Sequence, residues 1–362
     1  MGDNKVNIDN LKVKKEVNVR DAMKKLDTIA KGILFVVNER DELIGTVTDG
    51  DIRRWILSNG KMEESVYSIM NKKPIYLLEG DSNLADEIML EKSITAIPIL
   101  NLNRNIIDIK FLNKKIFIER KSKALKDIPV VIMAGGLGTR LYPYTKILPK
   151  PLIPIGDTPI LERIINKFCD FGTDEFYLTV NYKKNMIKSY FNELDKSYNV
   201  NYVEEEKPLG TGGSLSLLKN KIDKTFFVSN CDILIDADYE SILNYHREKG
   251  NKVTVVTSVK NFQIPYGVFK LNESGNINDI VEKPIYTFLI NTGMYVIEPE
   301  VLRDIPENEF YNLPDIVERY MNDNVKVGVY PISEESWMDM GQINEMKQMV
   351  EKLEEKEKNN KY

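Results

Sequence analysis

Apolar residues recur along the chain in two regimes. In the first third, helical spacing is followed by two short apolar runs, and the order occurs twice. "VRDAMKKLDTIA" precedes "GILFVVNERDELIGTV", and "NLADEIMLEK" precedes "ITAIPILNLNRNIIDI". Each pair of runs flanks a polar turn, as in a hairpin, so the repeat predicts two copies of one helix-and-hairpin unit. The charged segment "FIERKSKALKD", residues 117–127, breaks the pattern and carries the expected domain boundary. Beyond it, strand-length runs alternate with helices: "VVIMA", "PILERIINKFCDFG", "EFYLTV", "NMIKSYFNEL", "VNYVEE". Further strands follow in "TFFVSN", "KVTVVTSV" and "GMYVIE". Such alternation predicts an α/β domain whose doubly wound parallel sheet binds ligands where the carboxyl ends of its strands meet loops. The tail "EKLEEKEKNNKY" is charged throughout and predicts a fraying helix or a disordered end. The expected layout is 1–60 and 61–122 for the two copies, 123–127 for a linker, 128–348 for the larger domain and 349–362 for the tail.

Composition narrows the function classes. The 362 residues exceed the roughly 250 that one core serves, so several domains are expected. Basic residues number 50 against 55 acidic ones, well mixed, which argues against a nucleic-acid or anionic-membrane partner. Cys169 and Cys231 show no metal-ligand spacing, and the polar start "MGDNKVNIDN" has no signal-peptide character, so a cytoplasmic, reduced protein is expected. No run reaches the roughly 20 apolar residues that span a bilayer. The single histidine, His246, sits in "ILNYHREKG" and reads as a plain surface residue of an amphipathic helix.

The stretch "VVIMAGGLGTRLYPYTKILPKPL", residues 130–152, places Gly135, Gly136 and Gly138 at the carboxyl end of a strand. Backbone amides there can approach a phosphate with no side chains in the way. Neither standard nucleotide fingerprint fits: G-x-x-x-x-G-K-[ST] is absent, and Leu141 stands where G-x-G-x-x-G needs its last glycine. "GGLGTRLYP" with "LPKPL" instead resembles the signature of the sugar-1-phosphate nucleotidyltransferases. The resemblance implies a Rossmann-like, GT-A-like domain in which Ala134, Gly135, Gly136, Gly138 and Thr139 surround a triphosphate. It also implies that Arg140 contacts the β and γ phosphates and that Lys150 neutralises charge during transfer. Two cations and a ring of amides suit a transition state whose charge spreads over phosphoryl oxygens.

In-line nucleotidyl transfer needs magnesium, and so carboxylates at strand ends. By the same resemblance Asp232 in "FFVSNCDIL" is a catalytic metal ligand, and Asp339 in "WMDMG" returns to the same ion. "EEEKPLGTGGSL" resembles the loop that reads the nucleobase through backbone groups of Leu209, Gly210 and Thr211, its glycines letting a flat ligand come close. "VEKPIY" implies Glu282 on sugar hydroxyls and Lys283 on the sugar phosphate, and "NTGMY" sets Asn291 and Gly293 beside the sugar. A sugar 1-phosphate is already anionic at pH 7, so no histidine base is required.

In the first third, "ELIGTVTDGDIRR" resembles the end of a CBS module, an α+β unit that comes in tandem pairs. The resemblance implies that Thr48 touches phosphate and Asp51 grips a ribose diol. In the second copy Gly45, Thr48 and Asp51 become Asp108, Phe111 and Lys114, which removes the ribose site. Two roles stand open: an adenine-nucleotide regulatory site, or a structural pair that joins copies into a homo-oligomer. The whole chain is expected to transfer a nucleoside monophosphate from a nucleoside triphosphate to a sugar 1-phosphate. The pair is expected to be GTP and a hexose or hexosamine 1-phosphate, for surface-glycan precursors. Uridylyl, thymidylyl or cytidylyl transfer is the alternative, and a non-catalytic nucleotide-sugar sensor acting through the CBS pair is the rival from another class.

Overall fold

The computed structural model describes residues 7–29, 31–92, 94–112 and 123–360, with side chains to residue 354. Two compact units divide the chain, Met1–Arg120 and Lys121–Tyr362. Of the expected boundary segment, residues 117–122 lie outside the described residues.

The first unit contains the repeat. Strand β1 (Lys12–Lys14), helix α1 (Val19–Ile29) and the hairpin β2 (Ile33–Val37) with β3 (Leu43–Thr48) lead into helix α2 (Asp49–Leu57). Strand β4 (Leu77–Leu78), helix α3 (Ala85–Glu91) and the hairpin β5 (Ala96–Leu100) with β6 (Ile106–Phe111) repeat that order. In both three-stranded sheets a short strand runs parallel to the first hairpin strand. Alternate residues of β2 face opposite sides. Leu34 and Val36 pack with Ala22 and Leu26 of α1, while Phe35 and Val37 meet Leu100 and Ile106 of the other copy. Burial on both faces explains why β2 and β5 are unbroken apolar runs rather than alternating ones.

The second unit is built on a seven-stranded sheet. Its elements are β7 (Val130–Met133), α4 (Ile160–Cys169), β8 (Glu175–Val180), α5 (Lys184–Glu193), β9 (Asn199–Glu204), β10 (Phe226–Asn230), β11 (Ile233–Ile235), α6 (Tyr239–Lys249) and β12 (Val253–Gln263). After them come β13 (Val268–Leu271), β14 (Ile277–Val281), β15 (Ile285–Ile297), α7 (Leu313–Asn322), β16 (Val327–Ser333), β17 (Trp337–Asp339) and α8 (Ile343–Asn360). The order across the sheet is β9-β8-β7-β10-β15-β12-β16. Val130 and Ile132 face one core layer and Val131 and Met133 the other, so β7 is buried on both sides. The chain leaves β7 in one direction toward β8 and β9, then returns to place β10 on the opposite flank of β7. This reversal is a topological switch point, where open α/β sheets bind ligands. Asn230 pairs with Met133, so the loops leaving β7 and β10 start side by side.

Two features differ from the sequence expectation. The sheet is mostly rather than wholly parallel: β15 runs against both β10 and β12. The reason lies in the link from β12 to β15, which is the two-stranded excursion β13–β14 instead of a helical crossover, so the chain comes back antiparallel. His246 is fully buried, not on the surface. It completes the inward stripe Tyr239, Ile242, Leu243, His246 of α6, whose spacing is that of a core-facing helix side. Its Nδ1 lies 2.8 Å from the Thr254 hydroxyl and its Nε2 2.9 Å from Glu298 Oε1. No helix among the described residues is long and apolar enough to cross a membrane.

Candidate active site

The loop after β7 is shaped by its glycines in two ways. Gly138 has φ +65°, and a Cβ there would lie 2.9 Å from Thr145 Cγ2 and 3.1 Å from Lys150 Cβ. A Cβ on Gly135 would come within 2.7 Å of Glu205 Oε1. Gly136 is exposed and has nothing within 4 Å of that position, so it alone of the three leaves room for a ligand's close approach. Thr139 and Arg140 follow on an exposed turn, while Ala134 stays tied to β8, its N–H donating to Thr179 O at 2.9 Å.

Lys150 is buried, and its ammonium forms an ion pair with Asp232 Oδ2. Asp232 is held by the strand after it: β11 pairs with β17 so that Ile233 faces Asp339, and Met340 N–H donates to Asp232 O at 2.8 Å. Burial, and after it the charge of Asp232, pushes the Asp339 carboxyl above the usual carboxylate range, against the opposing pull of Lys150 and Arg140. Arg140, Lys150, Asp232 and Asp339 thus share one electrostatic environment. Burial pushes the neighbouring Cys231 thiol up to about 12, with Asp232 adding to it, so that cysteine stays protonated and is no nucleophile at neutral pH. Glu345, which the sequence did not single out, is a third acid here. Its charge also acts on Asp339, and its Oε2 is shielded from solvent with no hydrogen-bond donor among the described residues. The available signal was an acidic residue in the first turn of the helix that follows "WMDMG".

Asp232 and Asp339 are hard oxygen donors, the ligand type that magnesium takes. Among the described residues no three histidine, cysteine or acidic side chains gather into a complete metal-binding group. A site of this kind fits magnesium, which is commonly held by one or two carboxylates and completes its shell with phosphate oxygens and water.

The glycines of the expected base loop also permit a close approach within the protein. A Cβ on Gly210, at φ +74°, would lie 2.7 Å from Tyr311 O, and one on Gly213 would lie 2.4 Å from Glu309 O. The close approach they permit is to the protein's own segment Glu309–Asn312. That segment is bolted on by hydrogen bonds: Gly212 and Gly213 N–H donate to Tyr311 O, Tyr311 N–H to Leu209 O, and Leu313 N–H to Thr211 Oγ1. Glu205, also missed from sequence, joins this loop to the glycine loop after β7. Its buried carboxylate accepts from Leu209 N–H at 3.3 Å while its other oxygen abuts Gly135.

Gly293 has φ +89°, and a Cβ on it would strike Asn230 Nδ2 at 2.4 Å, which fixes it against the end of β10, two residues before Asp232. It sits at a bulge where the pairing of β12 passes from Met294 to Asn291. Asn291 is turned inward on its own neighbours, accepting from Gly293 N–H at 2.9 Å and donating to Tyr295 Oη at 2.6 Å. Glu282 and Lys283 are exposed just past β14. Among the described residues no hydrogen bond or ion pair links either to Arg140, Lys150, Asp232 or Asp339.

In the first unit Thr48 and Asp51 form a capping box at the start of α2. Asp51 Oδ2 accepts from Thr48 N–H at 2.8 Å and from its hydroxyl at 2.7 Å, while Oδ1 pairs with Arg54 at 2.5 Å. In the second copy Asp108 pairs with Lys110 at 2.9 Å, and Lys114 lies outside the described residues.

Comparison with known proteins follows this division. A sequence model described as CBS domain matches residues 6–58, and one described as Nucleotidyl transferase matches residues 129–356. The mannose-1-phosphate guanyltransferase of Emericella nidulans is 35% identical over 185 residues, 48% of this chain and 50% of that protein. The UTP–glucose-1-phosphate uridylyltransferase of Synechocystis is 31% identical over 240 residues, 61% of this chain and 62% of that protein. The chain therefore spans about half to three-fifths of the length of these curated relatives. Among solved structures, HddC from Yersinia pseudotuberculosis matches with a TM-score of 0.50 at 26% identity, over 62% of this chain and 99% of that one. The matched segment takes in the glycine loop, both aspartates and the whole seven-stranded sheet, and through it the chain, with its N-terminal CBS domain, belongs to the Nucleotidyl transferase family.

Proposed function

We propose that the protein is a magnesium-dependent sugar-1-phosphate nucleotidyltransferase, with GTP and a hexose or hexosamine 1-phosphate as its substrates. The observation that carries this reading is the Lys150–Asp232 ion pair, set beside Asp339 by the pairing of β11 with β17 and next to the glycine loop at the switch point of the sheet. An anionic oxygen of the sugar 1-phosphate attacks the α-phosphorus of the nucleotide. A new P–O bond forms, the bond to the bridging oxygen breaks, and pyrophosphate leaves with its electron pair.

Arg140, exposed on the turn after the loop, would meet the outer phosphates, and the backbone at Gly136 would approach them closely. Lys150 exchanges its contact with Asp232 for a phosphoryl oxygen as charge builds. Asp232 and Asp339 would hold a magnesium ion, whose charge offsets that of the phosphates when bound. Leu209, Gly210 and Thr211 would present backbone groups to the base. Glu282, Lys283, Asn291 and Gly293 would line the sugar side. The guanyltransferase relatives support guanine as the base, and the uridylyltransferase relative supports uracil as the alternative. The product would be a nucleotide sugar for surface-glycan assembly.

For the CBS unit we propose a structural role over adenine-nucleotide binding, because both oxygens of Asp51 are engaged within the protein. Pyrophosphate release, measured with GTP, UTP, CTP and dTTP against a panel of sugar 1-phosphates in magnesium, tests the enzymatic reading. Release with GTP and a hexose or hexosamine 1-phosphate is expected. Release only with another nucleotide moves the base assignment, and none with any pair leaves a non-catalytic sensor.

A further inference from the structure

The loop between β8 and α5 reaches the segment that leads into Lys150, and nothing in the proposed catalysis accounts for this contact. Tyr144–Ile147 forms a single helical turn, and such a turn leaves its last carbonyls without partners of its own. Lys183 supplies two of them: its Nζ donates to Lys146 O and to Ile147 O, each at 2.6 Å. Tyr182 joins the grip, its Oη donating to Thr145 O at 3.2 Å. The Thr145 hydroxyl in turn donates to Gly138 O at 2.9 Å, which ties the same turn to the glycine loop. Three successive carbonyls are therefore held from two residues 36 or 37 positions further along the chain. Lys183 does this from a φ of +52°, a region that residues with a side chain seldom occupy and that persists where the surroundings over-determine it.

We propose that Lys183 is a positioning residue for Lys150, resting on the reading above in which Lys150 neutralises charge during nucleotidyl transfer. Only Leu148 and Pro149 separate the gripped carbonyl of Ile147 from Lys150. Pro149 and Pro151 flank Lys150, and the fixed φ of each leaves the link little freedom to absorb a shift of the turn. On the far side Leu152 and Ile153 are buried in the core. Lys150 thus stands between two anchors, one an apolar core and the other a single ammonium. A neutral side chain at Lys183 would leave two carbonyls to water and free one end of the link. The Lys150 ammonium would then spend time away from the phosphoryl oxygen it serves, and a misplacement of about 1 Å can lower a rate by about a hundredfold. The grip is on carbonyls of the turn and not on the amides of the glycine loop, so its loss should act on the rate more than on nucleotide affinity.

Two measurements on the full-length chain test this, one of them independent of turnover. Leu148 N–H donates to Tyr144 O and Leu152 N–H to Pro149 O, so hydrogen exchange at these amides reports whether the segment is held. Exchange there is expected to quicken in Lys183→Met. Lys183→Arg, which keeps a cation with several donors, should restore wild-type protection. Lys184→Met removes an equal charge next door, one that pairs with Glu204 instead, and should match the wild type in both measurements. In steady state Lys183→Met is expected to lower kcat by about tenfold or more while KM for the nucleotide stays within about twofold, with recovery in Lys183→Arg. Unchanged exchange in Lys183→Met, an equal effect in Lys184→Met, or losses that Lys183→Arg does not recover overturn the proposal. Quickened exchange with kcat unaltered overturns it as well. A wild type that releases no pyrophosphate with any pair of substrates refutes the reading of the reaction, and with it the catalytic half of the proposal, while exchange still decides whether Lys183 holds the segment.

Discussion

Lys150 and Asp232 stand 82 positions apart in sequence and meet as an ion pair whose side chains are 10% and 15% exposed. Removing one member of a buried pair strands the other charge, at a cost of about 3–5 kcal/mol, whereas removing both is far milder. Asp232→Asn and Lys150→Met are each expected to lower the unfolding free energy by an amount approaching that range. The double variant should be more stable than either. Turnover should not follow the same pattern, because the proposed reaction uses both charges: all three variants are expected to lose pyrophosphate release by a hundredfold or more. Urea unfolding and steady-state rates on the four proteins close the cycle. A double variant that regains activity would show that the pair is structural alone.

Two glycines in the site separate packing from ligand approach. A Cβ on Gly213 would lie 2.4 Å from Glu309 O, a backbone atom that cannot step aside without moving the segment, whereas one on Gly136 meets nothing. Gly213→Ala should therefore cost about 1–3 kcal/mol of stability through overpacking. Gly136→Ala should leave the melting temperature within a degree or two of wild type and raise KM for the nucleotide at least tenfold. Thermal melts and nucleotide titrations on the two variants check this contrast. A Gly136→Ala protein with unaltered KM would remove the triphosphate from that loop.

Gly135, Gly136, Gly138, Arg140 and Lys150 lie within one short segment after a strand, so local pattern alone assembles them. Asp232 and Asp339 were visible singly, but their proximity comes from the pairing of β11 with β17, a contact between distant strands with no local mark. Glu205 and Glu345 escaped because acidic residues in "EEEKP" and at a helix start ordinarily face solvent, and only the tertiary fold turns these two inward. The glycines of the expected base loop have a second reason the sequence does not show: a Cβ there would meet the backbone at Glu309–Asn312, some hundred residues away. His246 was legible. Its spacing after Tyr239, Ile242 and Leu243 is that of a buried stripe, and the residue type outweighed the period.

In the CBS unit, Asp51 closes the N-terminus of α2 and pairs with Arg54, so three of the roughly four lone-pair sites of its carboxylate are taken and a ribose diol, which needs two, would displace one of these contacts. Isothermal titration of the full chain with ATP, ADP and AMP is expected to show no heat of binding. Asp51→Ala is expected to lower stability by about 1 kcal/mol, the usual cost of a lost helix cap. Saturable heat that disappears in Asp51→Ala would return the site to a regulatory role.

His246 is expected to make the stability of the second unit sensitive to mild acid. Its ring is neutral with Nε2–H donating to Glu298, while Nδ1 accepts from the Thr254 hydroxyl, which in turn accepts from Asn251 Nδ2–H at 2.9 Å. Burial lowers the imidazole pKa below its ordinary value; Glu298 pulls it back, and Arg247 and Lys252 add to the lowering. The unfolded chain takes up a proton near pH ~6.5, and the folded chain only at lower pH. Stability from this group is therefore whole above that pH and is lost as pH falls through it toward the lowered folded value. Carboxylates titrate lower still in the unfolded chain, but Asp339 is raised in the folded one, so the histidine is isolated by the difference between wild type and a His246 variant that shares every other titrating group. Urea unfolding from about pH 7.5 to 5.5 should show the wild type losing stability, while His246→Gln, which has no proton to gain, starts lower and stays flatter. Parallel curves for the two proteins would mean that His246 does not govern the acid response.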